Sequence, residues 1–126
     1  MSPLVAALLV ALGGAVGASL RYITELVVSS LHDSVLPWGT WVVNTGGSLV
    51  LGVVTGLVTA GAPSWLATFV GTGICGALTT FSSFGYETVR LAEEGAVAAA
   101  ALNVLGSLTA GLLRCAAGFA LGSAVA

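Results

Sequence analysis

The chain has 126 residues, of which only three are basic and five are acidic, so its formal net charge is −2. Hydrophobic residues make up 57% of the chain and charged residues only 6%, against about 25% charged residues in a typical soluble domain. So few charges cannot cover the surface of a water-soluble fold, and a negative chain without lysine lacks the basic footprint of a nucleic-acid binder. The composition therefore predicts a single-domain integral membrane protein embedded in the lipid bilayer.

The uncharged runs of the chain predict an all-α fold with four transmembrane helices, because one span needs about 20 mostly apolar residues. A turn composition at Ala60–Ser64 divides the long uncharged run between Asp33 and Glu87 into two spans. The predicted helices cover about residues 3–28, 38–60, 64–89 and 96–123 of a single domain, 1–126. The first run has a second interpretation as a cleaved signal peptide, which its length, its lack of a basic start and the spans after it disfavour.

The basic residues give little information about orientation in the membrane. Arg21 and Arg90 fall on one side of the predicted bundle, and Arg114 falls near the end of the last helix on the other side. The two sides of the membrane thus differ by one basic residue, so the positive-inside rule predicts the orientation only weakly. Charge alone leaves two interpretations open, an antiparallel dual-topology dimer and an ordinary fixed topology. Association is expected in either case, because four short helices hardly enclose an ion path, although the GxxxG pairs alone do not establish helix dimerisation.

The third predicted helix is unusually polar and rich in glycine between Gly71 and Tyr86. Irregular backbone at membrane depth is tolerated only where it is buried in protein or lines a watery path. Broken helices there offer carbonyls to cations and N–H groups to anions. The sequence therefore predicts a break in this helix, whose middle lies near Gly76. One hydroxyl would bond its own preceding turn, but the cluster favours a polar track formed by Thr72, Thr79, Thr80, Ser82 and Ser83.

Two phenylalanines and two amides extend the candidate path. Phe81 and Phe84 either pack against lipid or present their electropositive ring edges to an anion. Ring edges and hydroxyls would hold a small hydrated anion weakly enough to release it, whereas a buried basic residue would trap it. Asn44 either bonds a neighbouring helix or serves as an anion donor. Asn103 and Ser107, four residues apart on one helical face, are candidates of the same kind.

No catalytic or metal-binding pattern accompanies these residues, so an enzyme is not expected. The predicted spans contain no paired carboxylates, and Cys75 and Cys115 are interpreted as small buried hydrophobic residues. His32 stands alone in a connection. Arg21, at the end of the first span, either reaches the headgroups or draws anions into a pore mouth.

Three segments of the chain resemble the Fluc (CrcB) family of bacterial fluoride channels. They are Gly13–Tyr22, Trp38–Gly47 and, most specifically, Gly76–Phe84 with Glu87 and Thr88 after it. Ala77, where the family usually repeats glycine, and Ser83, where it often has threonine, depart from the pattern. The resemblance implies an antiparallel dual-topology dimer with two fluoride pores in the inner (plasma) membrane of a bacterial cell.

The resemblance also implies roles for individual residues. A structural sodium ion (Na+) would sit at the dimer interface, held by the backbone carbonyls of Gly76 and Thr79. The implied fluoride pathway includes Phe81, Phe84, Asn44, Thr80, Ser82, Ser83, a vestibule arginine at Arg21 and, less securely, Ser107. Asn103 lies at a position that varies in the family, so its role stays open.

The implied activity is passive, fluoride-specific efflux from the cytoplasm, which confers fluoride resistance. Two alternatives stay open at this point. A small dual-topology, proton-coupled exporter of cationic drugs usually needs a carboxylate within the bilayer; the first uncharged run, 1–20, has none, and Glu25 and Glu87 lie at the ends of predicted spans. A non-transporting membrane assembly subunit would explain the hydrophobicity but not the clustered hydroxyls and phenylalanines. The second subunit is expected to be either a copy of this chain or a paralogue.

Overall fold

The computed structural model describes residues 1–125, and this part of the chain consists of helices joined by short connections. Three helices are long and apolar enough to cross a membrane, and each begins and ends within two residues of a predicted span. They are α1 (Pro3–Ser30), α2 (Trp38–Thr59) and α5 (Val97–Val125). Between α2 and α5 lie a π-helical segment (Ala67–Cys75), a single turn α3 (Gly76–Leu78) and α4 (Phe81–Glu93). The prediction of an all-helical membrane protein is confirmed.

The third predicted helix, referred to below as the third segment (residues 65–93), is interrupted at two threonines. Thr79 and Thr80 have extended backbone, with φ/ψ of −79°/156° and −144°/122°. Gly76 keeps a regular helical conformation at −62°/−36°, so the chain leaves the helix after the glycines and not at them. Threonine is β-branched and tolerates extended backbone well. A break was predicted in this stretch, but its position differs from the glycine-rich part that suggested it.

Glycines bring the helices together as two parallel pairs. In the first pair, a β-carbon on Gly13 would lie 2.4 Å from the Phe69 carbonyl oxygen, and one on Gly17 would lie 2.2 Å from that of Ile74. In the second pair, a β-carbon on Gly52 would lie 2.1 Å from the Cys115 carbonyl oxygen. Residue numbers rise together in both pairs, so α1 runs parallel to the third segment and α2 runs parallel to α5.

Two turns with glycine in the left-handed region end the helices that precede them. Gly61 has φ of +113°, and the N–H of Ala62 donates to the Leu57 carbonyl over 2.9 Å. Gly95 has φ of +85°, and the N–H of Ala96 donates to the Leu91 carbonyl over 2.8 Å. This is the Schellman arrangement, which glycine permits because it lacks a β-carbon. The turn predicted at residues 60–64 is confirmed.

Candidate functional site

Asn44 of α2 holds the break in the third segment through both ends of its amide. Its Nδ2 donates to the Thr80 carbonyl over 2.9 Å, and its Oδ1 accepts from the Thr80 N–H over 2.7 Å. Thr80 is only 6% exposed, so without Asn44 its two backbone groups would be buried without partners. The interhelical hydrogen bonding predicted for Asn44 is therefore confirmed. These two hydrogen bonds engage both the nitrogen and the oxygen of its amide.

The break frees backbone carbonyls on its N-terminal side. In a continuous α-helix the Thr80 N–H would donate to the Gly76 carbonyl, but here it donates to Asn44 instead. The Ser83 N–H is likewise diverted, because it donates to Thr80 Oγ1 over 3.2 Å and caps the start of α4. The carbonyls of Gly76 and Thr79 thus lose the donors that a continuous helix would supply. Carbonyl oxygens are ligands that hard cations prefer, so these two atoms fit the chemistry of a sodium site.

Five of the residues predicted for the site line one open cavity of about 340 Å³ beside the break. Gly76 is exposed at the surface of the single chain, and Phe81 is 83% exposed. The Phe81 and Phe84 rings lie 5.9 Å apart between centroids, tilted by 50°. The cavity therefore opens to the outside of the chain on the same side as an uncovered aromatic ring. Its predicted lining residues are Asn44, Gly76, Thr79, Thr80 and Phe81.

A second, larger cavity of about 630 Å³ is lined by two more of the predicted hydroxyl residues, Ser82 and Ser83. It also contains Glu87, whose Oε1 accepts a hydrogen bond of 2.5 Å from Thr40 Oγ1. The sequence analysis gave neither Glu87 nor Thr40 a role in the site. The sequence could have predicted this contact. Thr40 lies near the start of the second predicted span and Glu87 near the end of the third, so both lie on the same side of the bundle.

Arg21 and Ser107 line neither of these cavities. Arg21 is half-buried within α1, nine residues before its last residue. Ser107 lies on α5 with its Oγ 3.5 Å from Asn103 Oδ1, at the limit of a hydrogen bond. Asn103 is 6% exposed, and its Nδ2 donates to Thr88 Oγ1 over 2.8 Å. Asn103, whose role the sequence left open, thereby joins α5 to α4.

Comparison with known proteins gives consistent matches over nearly the whole chain. A family model described as CrcB-like protein, Camphor Resistance (CrcB), matches residues 8–119. The chain is 53% identical over 124 residues to a protein of Frankia casuarinae named Fluoride-specific ion channel FluC 1, with 94% of this chain and 96% of that protein covered.

Two further relatives carry the same kind of name. A FluC 1 protein of Streptomyces avermitilis is 54% identical over 106 residues, covering 83% of this chain and 86% of the relative. A protein of Natronomonas pharaonis named Fluoride-specific ion channel FluC 2 is 48% identical over 122 residues, covering 97% and 98% respectively. All of these alignments include most of both sequences.

Proposed function

The chain belongs to the CrcB-like family, and on that premise we propose that it is a fluoride-specific ion channel, not an enzyme, that lets fluoride leave the cytoplasm passively. The observation that carries this proposal beyond the family match is the helix break at Thr79 and Thr80, which Asn44 stabilises and which opens into a cavity lined by predicted pathway residues. A transported anion needs such a watery, donor-lined interruption of the apolar bundle.

Besides α1, α2 and α5, the third segment also crosses the membrane, as the third of four crossings in chain order, and the membrane is the inner (plasma) membrane of a bacterial cell. It packs parallel to α1, as a third crossing must when successive spans alternate in direction. Glycine turns on both sides of it reverse the chain. Its last part, α4, has 13 residues and would be about 20 Å long, so it crosses a hydrocarbon core of about 30 Å only together with the π-helical segment and α3.

The functional unit is an antiparallel dimer with a second copy of this chain or with a paralogue. Two features support a partner on the side of the break: Gly76 is exposed there, and Phe81 is 83% exposed beside an open cavity. A two-fold axis within the membrane plane would bring the mid-span breaks of both subunits together. The near-equal distribution of Arg21, Arg90 and Arg114 is compatible with insertion in both orientations.

A structural sodium ion at this interface would be held by the freed carbonyls of Gly76 and Thr79 from each subunit. Such an ion would supply a fixed positive charge that joins the two breaks. Gly47 supports this arrangement, because a β-carbon there would lie 2.4 Å from Thr79 Cγ2. The close approach of α2 to Thr79 therefore restricts the conformation of the residue that supplies one of the two carbonyls.

Fluoride passes the break by exchanging its water for hydroxyl donors and ring edges. Thr80, Ser82 and Ser83 offer hydroxyls on both sides of the break, and Phe81 and Phe84 present rings whose edges are electropositive. Arg21 acts at the vestibule, and Ser107 contributes from α5. The membrane potential drives each fluoride ion outward by about 2.3 kcal/mol per 100 mV.

Reconstitution of the purified chain alone in liposomes tests this proposal. We expect fluoride efflux down its gradient with little chloride leak, and no change in rate when a proton gradient is imposed. Robust chloride conduction, or no movement of either ion, would contradict the fluoride channel. Drug transport that depends on the proton gradient would favour the exporter instead. Activity of the chain alone would support a homodimer, and a requirement for a second gene product would support a paralogous partner.

A further inference from the structure

Arg114 lies deep within the longest helix of the chain. In α5 it has 17 helical residues before it and 11 after it. Its neighbour Cys115 touches α2 at Gly52, which is 14 residues from the first residue of α2 and seven from the last. Arg114 was predicted near the end of the last helix, but the contact with Gly52 places its α-carbon well inside the bundle.

The side chain of Arg114 extends towards the start of α5 and not towards its nearer end. Its Cζ lies 5.4 Å from the ring centroid of Trp41, in the first turn of α2. Helical side chains incline towards the N-terminus, which agrees with this direction. Because α2 and α5 run parallel, the guanidinium sits at a level between Trp41 and Gly52. The charge therefore stays within the length of α2 and does not reach the nearer end of α5.

Arg114 lacks a counter-charge within residues 1–125. The ion pair found in this part of the chain joins Arg90 to Glu94, and no carboxylate there pairs with Arg114. The Trp41 ring attracts the guanidinium but offsets less than the cost of an arginine in the hydrocarbon core. Charged side chains in spans face a watery path or pair with an opposite charge. This geometry thus calls for an anion.

Polar groups of both helices line the groove between α2 and α5 that the guanidinium enters. Trp41 Nε1 donates to the Gly106 carbonyl over 3.4 Å, so the ring that meets Arg114 also meets the turn that carries Ser107. Ser107 is seven residues before Arg114 and shares its helical face, and its hydroxyl is only weakly bonded at 3.5 Å. Ser48 of α2 approaches the same groove, with its Oγ 3.5 Å from where a β-carbon on Gly111 would lie.

We propose that Arg114 binds the permeating anion in the groove between α2 and α5, with Ser107 as a neighbouring hydroxyl donor; this inference rests on the proposed fluoride channel. Arg114 is exposed at the surface of the single chain, and its guanidinium already faces the Trp41 ring. It therefore offers one charge that is shared with that ring and not an enclosed pocket, so the anion is attracted without being trapped. This adds a second basic residue to a path for which the sequence predicted only Arg21, at the vestibule.

The test compares full-length wild type with Arg114→Gln, Arg114→Lys and Glu93→Gln in liposomes, over a range of fluoride concentrations. Glu93→Gln also removes one charge, but from an exposed residue of α4 that lines neither cavity. Losing a charge-assisted hydrogen bond should raise the half-saturating fluoride concentration of Arg114→Gln about tenfold or more. Arg114→Lys should recover part of this affinity, and Glu93→Gln should match the wild type. Half-saturation unchanged in Arg114→Gln, or shifted as far in Glu93→Gln as in Arg114→Gln, would overturn the inference.

A binding measurement separates this inference from the proposed function and from misfolding. Fluoride titration of the tryptophan fluorescence of the detergent-solubilised protein should saturate in the wild type, because the guanidinium that binds the anion faces Trp41. The change should vanish in Arg114→Gln while its elution volume and helical content stay as in the wild type. If Arg114→Lys fails as completely as Arg114→Gln, the residue is structural and the inference is wrong. If the wild type binds fluoride in this way but carries no flux, the channel proposal fails and the Arg114 site stands.

Discussion

Replacing Asn44 with leucine should destabilise the protein more than any other single polar substitution at the break. The two side chains have nearly the same shape, but leucine can neither donate to the Thr80 carbonyl nor accept from the Thr80 N–H. Each buried backbone group left without a partner costs about 1–3 kcal/mol. Two such groups predict a loss of about 2–6 kcal/mol in the free energy of unfolding.

The measurement is denaturant unfolding of the detergent-solubilised protein, followed by helical content, in parallel with fluoride efflux from liposomes. Thr55→Ala is the matched control in the same helix, because the Thr55 hydroxyl donates only to the Leu51 carbonyl of its own helix over 2.8 Å and is exposed. The control should stay within about 0.5 kcal/mol of the wild type, as exposed substitutions usually do. Fluoride efflux should fall steeply in Asn44→Leu alone, since the break would lose its geometry.

The result that would refute this reasoning is an Asn44→Leu protein as stable as the Thr55→Ala control. In that case the break would be held by other contacts, and the two hydrogen bonds to Thr80 would be incidental. Normal stability with lost efflux would instead assign Asn44 to the ion path and not to the support of the break.

Further predictions follow from glycine packing, the phenylalanine pair and sodium. Gly52→Ala should lower the free energy of unfolding by about 1–3 kcal/mol, because the added β-carbon would lie 2.1 Å from the Cys115 carbonyl oxygen. Gly106→Ala is the control, since a β-carbon there would have nothing within 4 Å. In the same unfolding assay it should be neutral or stabilising by up to about 1 kcal/mol. Phe81→Ile and Phe84→Ile should slow fluoride efflux while preserving elution volume, and unchanged rates would remove the rings from the path. Replacing sodium by a large organic cation should shift the protein from dimer to monomer in size-exclusion chromatography, whereas an unchanged elution volume would argue against the carbonyl site at Gly76.

The membrane character and helical fold could be predicted from the sequence because they follow from the spacing of eight charges. The break could be predicted only in outline. Hydroxyls and glycines indicated an irregular backbone between residues 71 and 86, but the interruption at Thr79 and Thr80 depends on Asn44, 36 residues away from Thr80. A local pattern contains no information about which distant amide will replace the missing helical partners.

The glycines show a second limit of prediction from sequence, because one residue type serves two different structural purposes. Gly76 suggested backbone freedom and yet remains helical, whereas Gly13 and Gly52 allow backbones to approach within distances that any β-carbon would prevent. Both uses look the same in a sequence. The position of Arg114 inside the helix bundle could not be predicted from the sequence either. It depends on a contact between Cys115 and Gly52 that hydrophobic periodicity does not specify.

The parallel pairing of the helices has a consequence for how the chain is assembled during synthesis. Translation proceeds from the N-terminus, so the Gly13 and Gly17 surface of α1 and the amide of Asn44 are both synthesised before the third segment. The interrupted, hydroxyl-rich segment can then meet its partners as it enters the membrane. It need not wait in lipid with unpaired backbone groups, a condition that would favour its return to water. The helix that arrives last, α5, finds its glycine-lined groove on α2 ready and completes the bundle.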